Sequence, residues 1–256
     1  MDVLDHNRMA WDEEARKGNM WTIPVDPLVI RQAREGIIEL LLTPTRFVPG
    51  DWYPDLEGAD VLCLASGGGQ QAPVFAAAKA NVTLLDNSPI QLDRDRQVAE
   101  RENLEIRLEQ GDMRDLSRFS DASFDLIFHP VSNCFTHDVT AVWRECHRVL
   151  KKQGVLLAGF NNPLLYIFDF QEWDEHGKLV VRYKIPYSDI GQLPKDILEQ
   201  RIKNKETLEF GHSLEDQIGG QTRAGLVLTG LYEDTAGGDL LDPHIKTFIA
   251  TRAIKP

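Results

Sequence analysis

The stretch "LASGGGQQA", residues 64–72, decides the fold class of this chain. It joins an apolar run at 61–65 to an alanine-rich stretch, "VFAAAKA", at 74–80. A short apolar run bounded by glycines is typical of a strand that is buried on both faces. The three consecutive glycines let the backbone lie close to a ligand, because they carry no side chain. The stretch therefore predicts a buried strand, a ligand-binding loop and a helix.

The same alternation of strand and helix continues along the chain. Further strands are predicted at 82–86, 105–110, 124–131, 155–160, 226–232 and 246–254. Helices are predicted from Asp26 to Leu42, from Ser88, from Asp138 to Gln153 and from Ser213 to Gly225. Repeated alternation of this kind predicts an α/β fold with a doubly wound, mostly parallel sheet covered by helices. Ligands of such sheets bind beyond the carboxyl ends of the strands.

Two segments lie outside the alternating pattern. Residues 1–55 read as helical and loop material before the sheet, and we expect them to form an N-terminal lid. Residues 161–210 form a predicted cap insertion, because fifty residues make a poor core alone. The whole chain, 1–256, is therefore predicted to be a single domain with both segments hanging over the ligand. Candidate substrate contacts from the cap region are Tyr166, Trp173, Tyr183, Tyr187 and His212.

The composition restricts the partners of the chain. Its formal net charge is −12, from 28 Lys and Arg against 40 Asp and Glu, so non-specific binding to nucleic acid is not expected. No apolar run approaches the ~20 residues that span a bilayer, and the acidic first residues do not resemble a signal peptide. Three scattered cysteines favour a reduced, cytoplasmic compartment, and the histidines form no metal-binding pair. We expect a monomer or homodimer that acts on a small molecule.

The glycine loop alone fits two classes of ligand. Gly67-x-Gly69-x-x-Ala72 matches the dinucleotide fingerprint of NAD enzymes, whereas Ala65-x-Gly67-x-Gly69 matches the looser motif of proteins that bind S-adenosylmethionine. Asp86, at the end of the second strand, suits either ligand, since its carboxylate can accept hydrogen bonds from ribose hydroxyls. An NAD(P)-dependent oxidoreductase and a methyltransferase therefore both remain open at this point.

The third and fourth strands carry a resemblance that separates these alternatives. "QGDMRDL" (110–116) resembles the adenine site of class I S-adenosylmethionine-dependent methyltransferases, and "FDLIFHPV" and "CHRVLKKQGVLLAGF" resemble later motifs of that family. The segments "NRMAWDEEARKGNMWTIPV" and "LEFGHSLEDQIGGQTRAG" resemble its bacterial small-molecule members. The resemblance implies S-adenosylmethionine as cofactor, a seven-stranded Rossmann-like sheet whose last strand is antiparallel, and in-line methyl transfer to a small molecule.

The resemblance also has gaps. The family commonly has an acidic residue where Cys63 stands and a glycine where Ala65 stands. A non-catalytic protein that keeps the fold and the cofactor is therefore a further alternative. The oxidoreductase alternative lacks a Tyr-x-x-x-Lys or similar hydride-transfer pattern.

The resemblance and the strand ends together predict the site. Asp86 is expected on the ribose, and the Asp112 carboxylate and Met113 N–H on the adenine. Trp11 and Trp21 are candidates for a lid over the sulfonium. His129 is expected on the pocket floor, as a general base or as a residue that shapes the pocket. The full predicted cofactor set is Trp21, Ala65, Ser66, Gly67, Gly69, Asp86, Asn87, Ser88, Asp112, Met113 and His129. Ser132, Asn133 and Cys134 are candidate pocket residues beside it.

Overall fold

A computed structural model describes residues 2–256 and shows a central seven-stranded sheet. Its strands are β1 (Asp60–Leu64), β2 (Asn81–Asp86), β3 (Ile106–Gln110), β4 (Phe124–His129), β5 (Leu150–Asn161), β8 (Val227–Asp234) and β9 (Phe248–Ile254), with β6 and β7 given below. They lie in the order β3-β2-β1-β4-β5-β9-β8. The first five are parallel, and β9 runs antiparallel to both of its neighbours. The predicted sheet, with its antiparallel last strand, is confirmed.

Helices cover both faces of this sheet. They are α1 (Val3–Lys17), α2 (Pro27–Arg34), α3 (Gln71–Ala77), α4 (Pro89–Glu102), α5 (Val139–Val149), α6 (Phe170–His176), α7 (Asp189–Gln192), α8 (Lys195–Asn204) and α9 (Gly220–Arg223). One apolar cluster packs α2, α3 and α4 against one face, and a second packs α5 against the other. Since β1, β2, β4 and the second half of β5 are buried on both sides, their near-continuous apolar sequences are explained.

Helix α4 follows β2 in the way that its sequence predicts. Ser88 is the N-cap, its hydroxyl accepts a hydrogen bond from the Gln91 N–H at 3.2 Å, and Pro89 occupies the first helical position. This cap fixes where the chain turns after Asp86. It therefore positions the carboxyl end of β2 beside the glycine loop.

The predicted helix from Asp26 to Leu42 is wrong in its second half. Asp26 caps α2 as expected, but the helix ends at Arg34, and Gly36 then adopts a φ of 87°. The chain after it crosses the carboxyl end of the sheet as an extended segment. There the Leu42 carbonyl accepts a hydrogen bond from the Val131 N–H at 3.1 Å. Ile38, Leu40 and Leu42 thus pack into the core beside the sheet and do not continue a helix.

Two further helix predictions differ at their ends. Helix α5 stops at Val149, because Leu150 already pairs with Phe124 as the first residue of β5. The predicted helix at 213–225 is a π-helical turn, Glu215–Gly219, followed by the short α9. The indole N–H of Trp143 donates to the Asp216 carbonyl at 3.0 Å, which holds this turn against α5.

The predicted cap segment, 161–210, contains α6, α7 and α8 together with a small two-stranded sheet. That sheet pairs β6 (Tyr187–Ser188) with β7 (Phe210–Gly211). The strand-like sequence at 178–187 forms little strand, since the Arg182 and Tyr183 N–H groups both bond to the Ile167 carbonyl. Within residues 2–256, no helix combines the length and the apolar character that crossing a membrane requires.

Candidate functional site

A cavity of about 510 Å³ lies beyond the carboxyl ends of the central strands. It is bordered by the glycine loop, the ends of β2 and β3, helix α1, the extended segment at 41–44, the loop after β4 and two cap residues. Of the predicted cofactor residues, the cavity is lined by Trp21, Ala65, Ser66, Gly67, Asp86, Asn87, Asp112 and Met113. Because β1 lies between β2 and β4, this position is the switch point where open α/β sheets bind ligands. Its volume is that of an ordinary small-molecule site.

Two buried carboxylates hold the glycine loop from behind. One oxygen of Asp86 accepts from the Gly67 N–H at 2.8 Å, and its other oxygen accepts from the Ser88 N–H at 2.8 Å. A single oxygen of Asp95, on α4, accepts from both the Gly68 and the Gly69 N–H at 2.9 Å. The loop conformation is therefore set by acidic side chains beneath it. Sequence reasoning singled out Asp86 but missed Asp95.

The loop begins with a residue in an unusual conformation. Ala65 adopts a φ of 50°, in the left-handed region that disfavours every residue with a Cβ atom. Its N–H donates to the Leu85 carbonyl at 2.7 Å, which fixes this geometry. The positive φ is the physical reason why a glycine suits this position. In this chain the methyl group of Ala65 instead forms part of the cavity wall.

Burial changes the acidity of both carboxylates. Removal from water raises the pKa of Asp95 to about 7, although the two loop N–H groups oppose the shift. Burial likewise raises the pKa of Asp86 to about 6, against the opposing hydrogen bonds from the backbone at Ser88 and Gly67. The second oxygen of Asp95 is buried and has no hydrogen-bond partner within residues 2–256. Ionising Asp95 near neutral pH therefore costs stability.

We expect Asp95→Asn to flatten the dependence of stability on pH. The folded pKa of Asp95 is raised, so the folded protein holds this proton more tightly, and stability is lost as pH rises from about 4 to about 7. Asparagine keeps one oxygen for both loop N–H groups and has no proton to lose. Urea unfolding at pH 5 and pH 8 measures the effect. The free energy of unfolding falls between pH 5 and pH 8. This fall should be smaller in Asp95→Asn than in the wild-type protein by more than about 1.4 kcal/mol, which corresponds to one pKa unit.

Asp86 titrates in both proteins, and its charge helps to raise the pKa of Asp95, so the comparison measures Asp95 together with its coupling to Asp86. Asp95→Ala is the matched second variant. It leaves two buried N–H groups without an acceptor and should lower the free energy of unfolding at both pH values by roughly 2–5 kcal/mol. An equal pH dependence in the wild-type protein and in Asp95→Asn would show that this carboxylate is not the titrating group.

The end of β3 carries an acidic residue with a close cationic partner. The Asp112 carboxylate accepts from the Arg114 side chain in a bidentate arrangement, with contacts from 2.6 to 3.1 Å, and from the Arg114 backbone N–H at 2.9 Å. Arg114 also lies 3.1 Å from the nearer ring nitrogen of His137. Both Asp112 and Met113 line the cavity, as the resemblance implies. Arg114 fixes the orientation of the Asp112 carboxylate.

Three predicted contacts lie behind the cavity wall. Gly69 faces away because its carbonyl accepts from the Val25 N–H at 2.9 Å, and Ser88 is buried as the cap of α4. His129 is fully buried, with Nδ1 2.9 Å from the Leu64 carbonyl oxygen and its ring against Trp143. Burial lowers the pKa of His129 to about 4, so the ring is neutral near pH 7. A general base must reach the proton it removes, and this placement argues against that role for His129.

The N-terminal segment forms the roof of the cavity. Trp11, on α1, packs edge-to-face against Phe135, and Trp21 lies beside the glycine loop; both line the cavity. The α1 helix is fixed to the start of α4 through Asp12, which accepts from the Ser88 hydroxyl at 2.6 Å. The Asn87 amide donates to the Leu4 carbonyl at 2.8 Å. We name residues 2–25 the roof; its opening and closing as a lid stays a prediction.

One end of the cavity is built by two cap residues together with one residue of the loop after β4 and one of β9. We name this the acceptor end; it contains Cys134, Asn161, Glu209 and Phe248. The Tyr166 hydroxyl accepts from the Asn161 amide at 2.6 Å and donates to Glu209 Oε2 at 2.6 Å. The sequence predicted Tyr166 as a substrate contact and Cys134 as a pocket residue. Glu209 was not predicted, because its neighbours in sequence form no motif that indicates a site.

The remaining cap candidates have other positions. Trp173, Tyr183 and Tyr187 pack within the aromatic cluster of the cap and do not line the main cavity. His212 bonds through Nε2 to the carbonyl oxygens of Asn133 and Thr136, which braces the loop after β4. Among residues 2–256, no three His, Cys, Asp or Glu side chains are grouped as metal ligands.

Comparison with known proteins identifies the family. Residues 62–158 match a family model that is described as "Methyltransferase domain". The uncharacterized methyltransferase YbaJ of Bacillus subtilis is 52% identical over 253 residues, which cover 99% of this chain and 98% of YbaJ. This chain belongs to the methyltransferase family. That membership confirms the predicted enzyme class and overturns the alternative of an NAD(P)-dependent oxidoreductase.

Solved structures show that the fold of this methyltransferase is widely shared. An S-adenosylmethionine-dependent methyltransferase from Mesorhizobium loti is 16% identical, with a TM-score of 0.61 over 80% of this chain and 94% of that one. An arsenic(III) S-adenosylmethionine methyltransferase from Chlamydomonas reinhardtii is 20% identical, with a TM-score of 0.52 over 90% of this chain and 74% of that one. At these identities the likeness concerns the fold of the methyltransferase.

Proposed function

We propose that this protein transfers the methyl group of S-adenosylmethionine to a small-molecule acceptor held in the cavity. One observation carries the proposal: a single cavity joins the glycine loop to an acceptor end covered by the roof and the cap. Family membership confirms S-adenosylmethionine as the cofactor, in preference to NAD(P). The acidic charge of the chain supports an enzyme that does not act on nucleic acid, and its buried free cysteines support a cytoplasmic one. We take the enzyme to be monomeric or homodimeric.

The residues present fit this cofactor. Of the residues that line the cavity, Asp2, Asp86, Asp112 and Glu209 are acidic, whereas Arg114 supplies the one Arg or Lys side chain and is paired with Asp112. An acidic wall suits a molecule that carries a sulfonium and an ammonium group. Asp86 would hold the ribose hydroxyls, and Asp112 and Met113 would hold the adenine. Cys63 lies fully buried beneath the loop, so other groups must hold the ammonium.

The protein's part in the reaction is to align and to exclude water. When bound, S-adenosylmethionine supplies an electrophilic methyl group on a positively charged sulfur. The roof and the cap would hold an acceptor atom against that methyl group, which replaces an encounter in solution by a fixed geometry. The apolar wall of Leu41, Leu42 and Phe248 would keep water from the site, where positive charge is dispersed during transfer.

Two measurements test the proposal. Calorimetric titration with S-adenosylmethionine, S-adenosylhomocysteine and NADH should show binding of the first two alone. The protein is incubated with methyl-labelled S-adenosylmethionine and a cell extract, and dialysis then separates small molecules from macromolecules. A labelled product distinct from the unreacted cofactor should appear in the small-molecule fraction. Label on protein or nucleic acid would overturn the small-molecule acceptor. Binding of NADH without binding of S-adenosylhomocysteine would overturn the cofactor.

A further inference from the structure

Glu209 has one carboxylate oxygen that the protein leaves free at the acceptor end. Oε2 accepts the short hydrogen bond from the Tyr166 hydroxyl, which is itself held by Asn161. Oε1 has no hydrogen-bond partner within residues 2–256, yet Glu209 lines the cavity. Glu209 is only partly buried, and a carboxylate oxygen that the protein leaves without a donor can accept a hydrogen bond from a ligand in the cavity. The orientation of Glu209 is therefore fixed, and its free oxygen is available to a ligand.

The charges around Glu209 leave it without a cation of its own. Asp189 lies beneath it and accepts from the Glu209 backbone N–H at 2.8 Å. The nearby guanidinium of Arg201 is 3.3 Å from Asp189 and makes no hydrogen bond to Glu209, and the Tyr187 hydroxyl also donates to Asp189. Burial raises the pKa of Glu209, and the negative charge of Asp189 raises it further, whereas the hydrogen bond from Tyr166 and the positive charge of Arg201 oppose the shift. A positively charged or N–H-bearing group would relieve both effects.

Aromatic and charged side chains border the same carboxylate on its second side. Glu209 lines a smaller cavity of about 220 Å³, whose wall also includes Tyr166, Phe170, Trp173, Asp174, Asp189 and Arg201. Aromatic faces attract cationic nitrogen, and they repel anions. The wall of the main cavity near Glu209 is apolar, with Phe135, Phe248 and Cys134. No free cation lines either cavity in residues 2–256, because Arg114 is paired with Asp112 and Arg201 with Asp189.

We propose that Glu209 Oε1 binds the nitrogen of the methyl acceptor, and that this acceptor is a small, largely apolar amine without an anionic group. The inference rests on the proposed function and adds the acceptor class to it. A carboxylate or phosphate on the acceptor would meet the negative charge of Glu209, and the nearby guanidinium of Arg201 is already paired with Asp189. An apolar body fits the walls, and an N–H donor fits the free oxygen.

Glu209 would orient the amine and take its proton. The amine reacts in its neutral form, after its ammonium form has released one proton to solvent, and it donates one N–H to Oε1, which directs its lone pair away from the carboxylate and into the main cavity. The nitrogen–carbon bond forms as the carbon–sulfur bond breaks, and the electron pair of that bond stays on sulfur. The methylated nitrogen then carries a positive charge and loses one proton to Oε1, from which it passes to solvent on release.

Binding of three matched probes tests this assignment without turnover. 2-Phenylethylamine, 2-phenylethanol and phenylacetate share a ring and differ in the polar group. Each is titrated by calorimetry into the wild-type protein saturated with S-adenosylhomocysteine, and into Glu209→Gln and Glu199→Gln. Glu199 is the control, because it is an exposed carboxylate of the same cap whose one ion pair is with Lys195. We expect the amine to bind at least tenfold more tightly than the other two probes.

Glu209→Gln should lower the affinity for the amine at least tenfold and change the affinity for the alcohol less than twofold. Glu199→Gln should change neither. Equal binding of the amine and the alcohol by the wild-type protein, preferred binding of the carboxylate, or no binding of the amine would each overturn the inference, whether or not Glu209→Gln folds. Failure to bind S-adenosylhomocysteine would instead overturn the proposed function. In that case the same probes, titrated into the protein without S-adenosylhomocysteine, test the binding of the amine by Glu209 independently of the proposed function.

Discussion

Replacing Gly68 by alanine is expected to destabilise the protein and to abolish most of its affinity for the cofactor. Gly68 has a φ of 132°, and a Cβ atom there would lie 2.5 Å from the backbone oxygen of Trp21. The Gly68 N–H is also one of the two groups held by Asp95. An alanine must therefore displace either the glycine loop or the roof segment above it. We expect a loss of roughly 2–5 kcal/mol in the free energy of unfolding, from backbone strain and overpacking together.

Gly238 provides a matched control for this variant. Its φ of 130° is nearly the same, but a Cβ atom there meets nothing within 4 Å. Gly238→Ala should therefore cost only the backbone strain, about 1–3 kcal/mol, and should leave cofactor affinity unchanged. Denaturant unfolding and calorimetry with S-adenosylhomocysteine measure both quantities. Equal losses of stability in the two variants, with cofactor affinity retained in Gly68→Ala, would contradict the proposed contact between loop and roof.

The second large effect is expected from Asp86→Ala. Its carboxylate lines the cavity, and hydrogen bonds from ribose hydroxyls to a charged acceptor are worth about 1.5–3 kcal/mol. We therefore expect the affinity for S-adenosylhomocysteine to fall by roughly 10- to 150-fold. Asp93→Ala is the control. Asp93 lies on α4, shortly after Asp86, but it is exposed, and within residues 2–256 it forms an ion pair only with Arg96. Unchanged affinity in a folded Asp86→Ala protein would remove Asp86 from the cofactor site.

The pH dependence of binding gives an independent test of the same residue. Burial raises the pKa of Asp86 to about 6 in the ligand-free protein, and the ionised form is the stronger acceptor. The affinity of the wild-type protein for S-adenosylhomocysteine should therefore rise as pH increases from 5 to 7.5. Asp86→Ala should lose that part of the rise. An identical pH profile in both proteins would assign the titration to another group.

Much of the fold could be predicted because it depends on local patterns. The apolar run before Gly67 predicts a strand, and the cap at Ser88 predicts the start of a helix. Each prediction depends on only a few neighbouring residues. The strand ends then bring Gly67, Asp86 and Asp112 to one edge of the sheet, since parallel strands end together. The positions of these three residues on the cavity wall follow from that rule alone. Their contacts with the cofactor stay predictions.

The residues that sequence reasoning missed or misplaced depend on distant contacts. Asp95 lies three residues from both Leu92 and Val98, which are buried on α4, so a charge at a periodically buried position was the available signal. Glu209 lacks such a signal, because its partners, Tyr166 and Asp189, meet it only when the cap folds. His129 stands at a strand end, as predicted. Its ring turns into the core because the Leu64 carbonyl, on a neighbouring strand, accepts its hydrogen bond.

The roof has a consequence for how this chain reaches its native state. The Asn7 side chain donates to the Leu208 carbonyl at 2.9 Å and accepts from the Leu208 N–H at 2.8 Å, which joins positions 201 residues apart. His6 similarly lies 2.8 Å from the Glu206 carbonyl oxygen. Contacts between such distant positions require the largest loop closure, and during synthesis they must wait until the cap has left the ribosome. The glycine loop and its strands can assemble earlier. The cavity is thus closed by some of the last contacts to form.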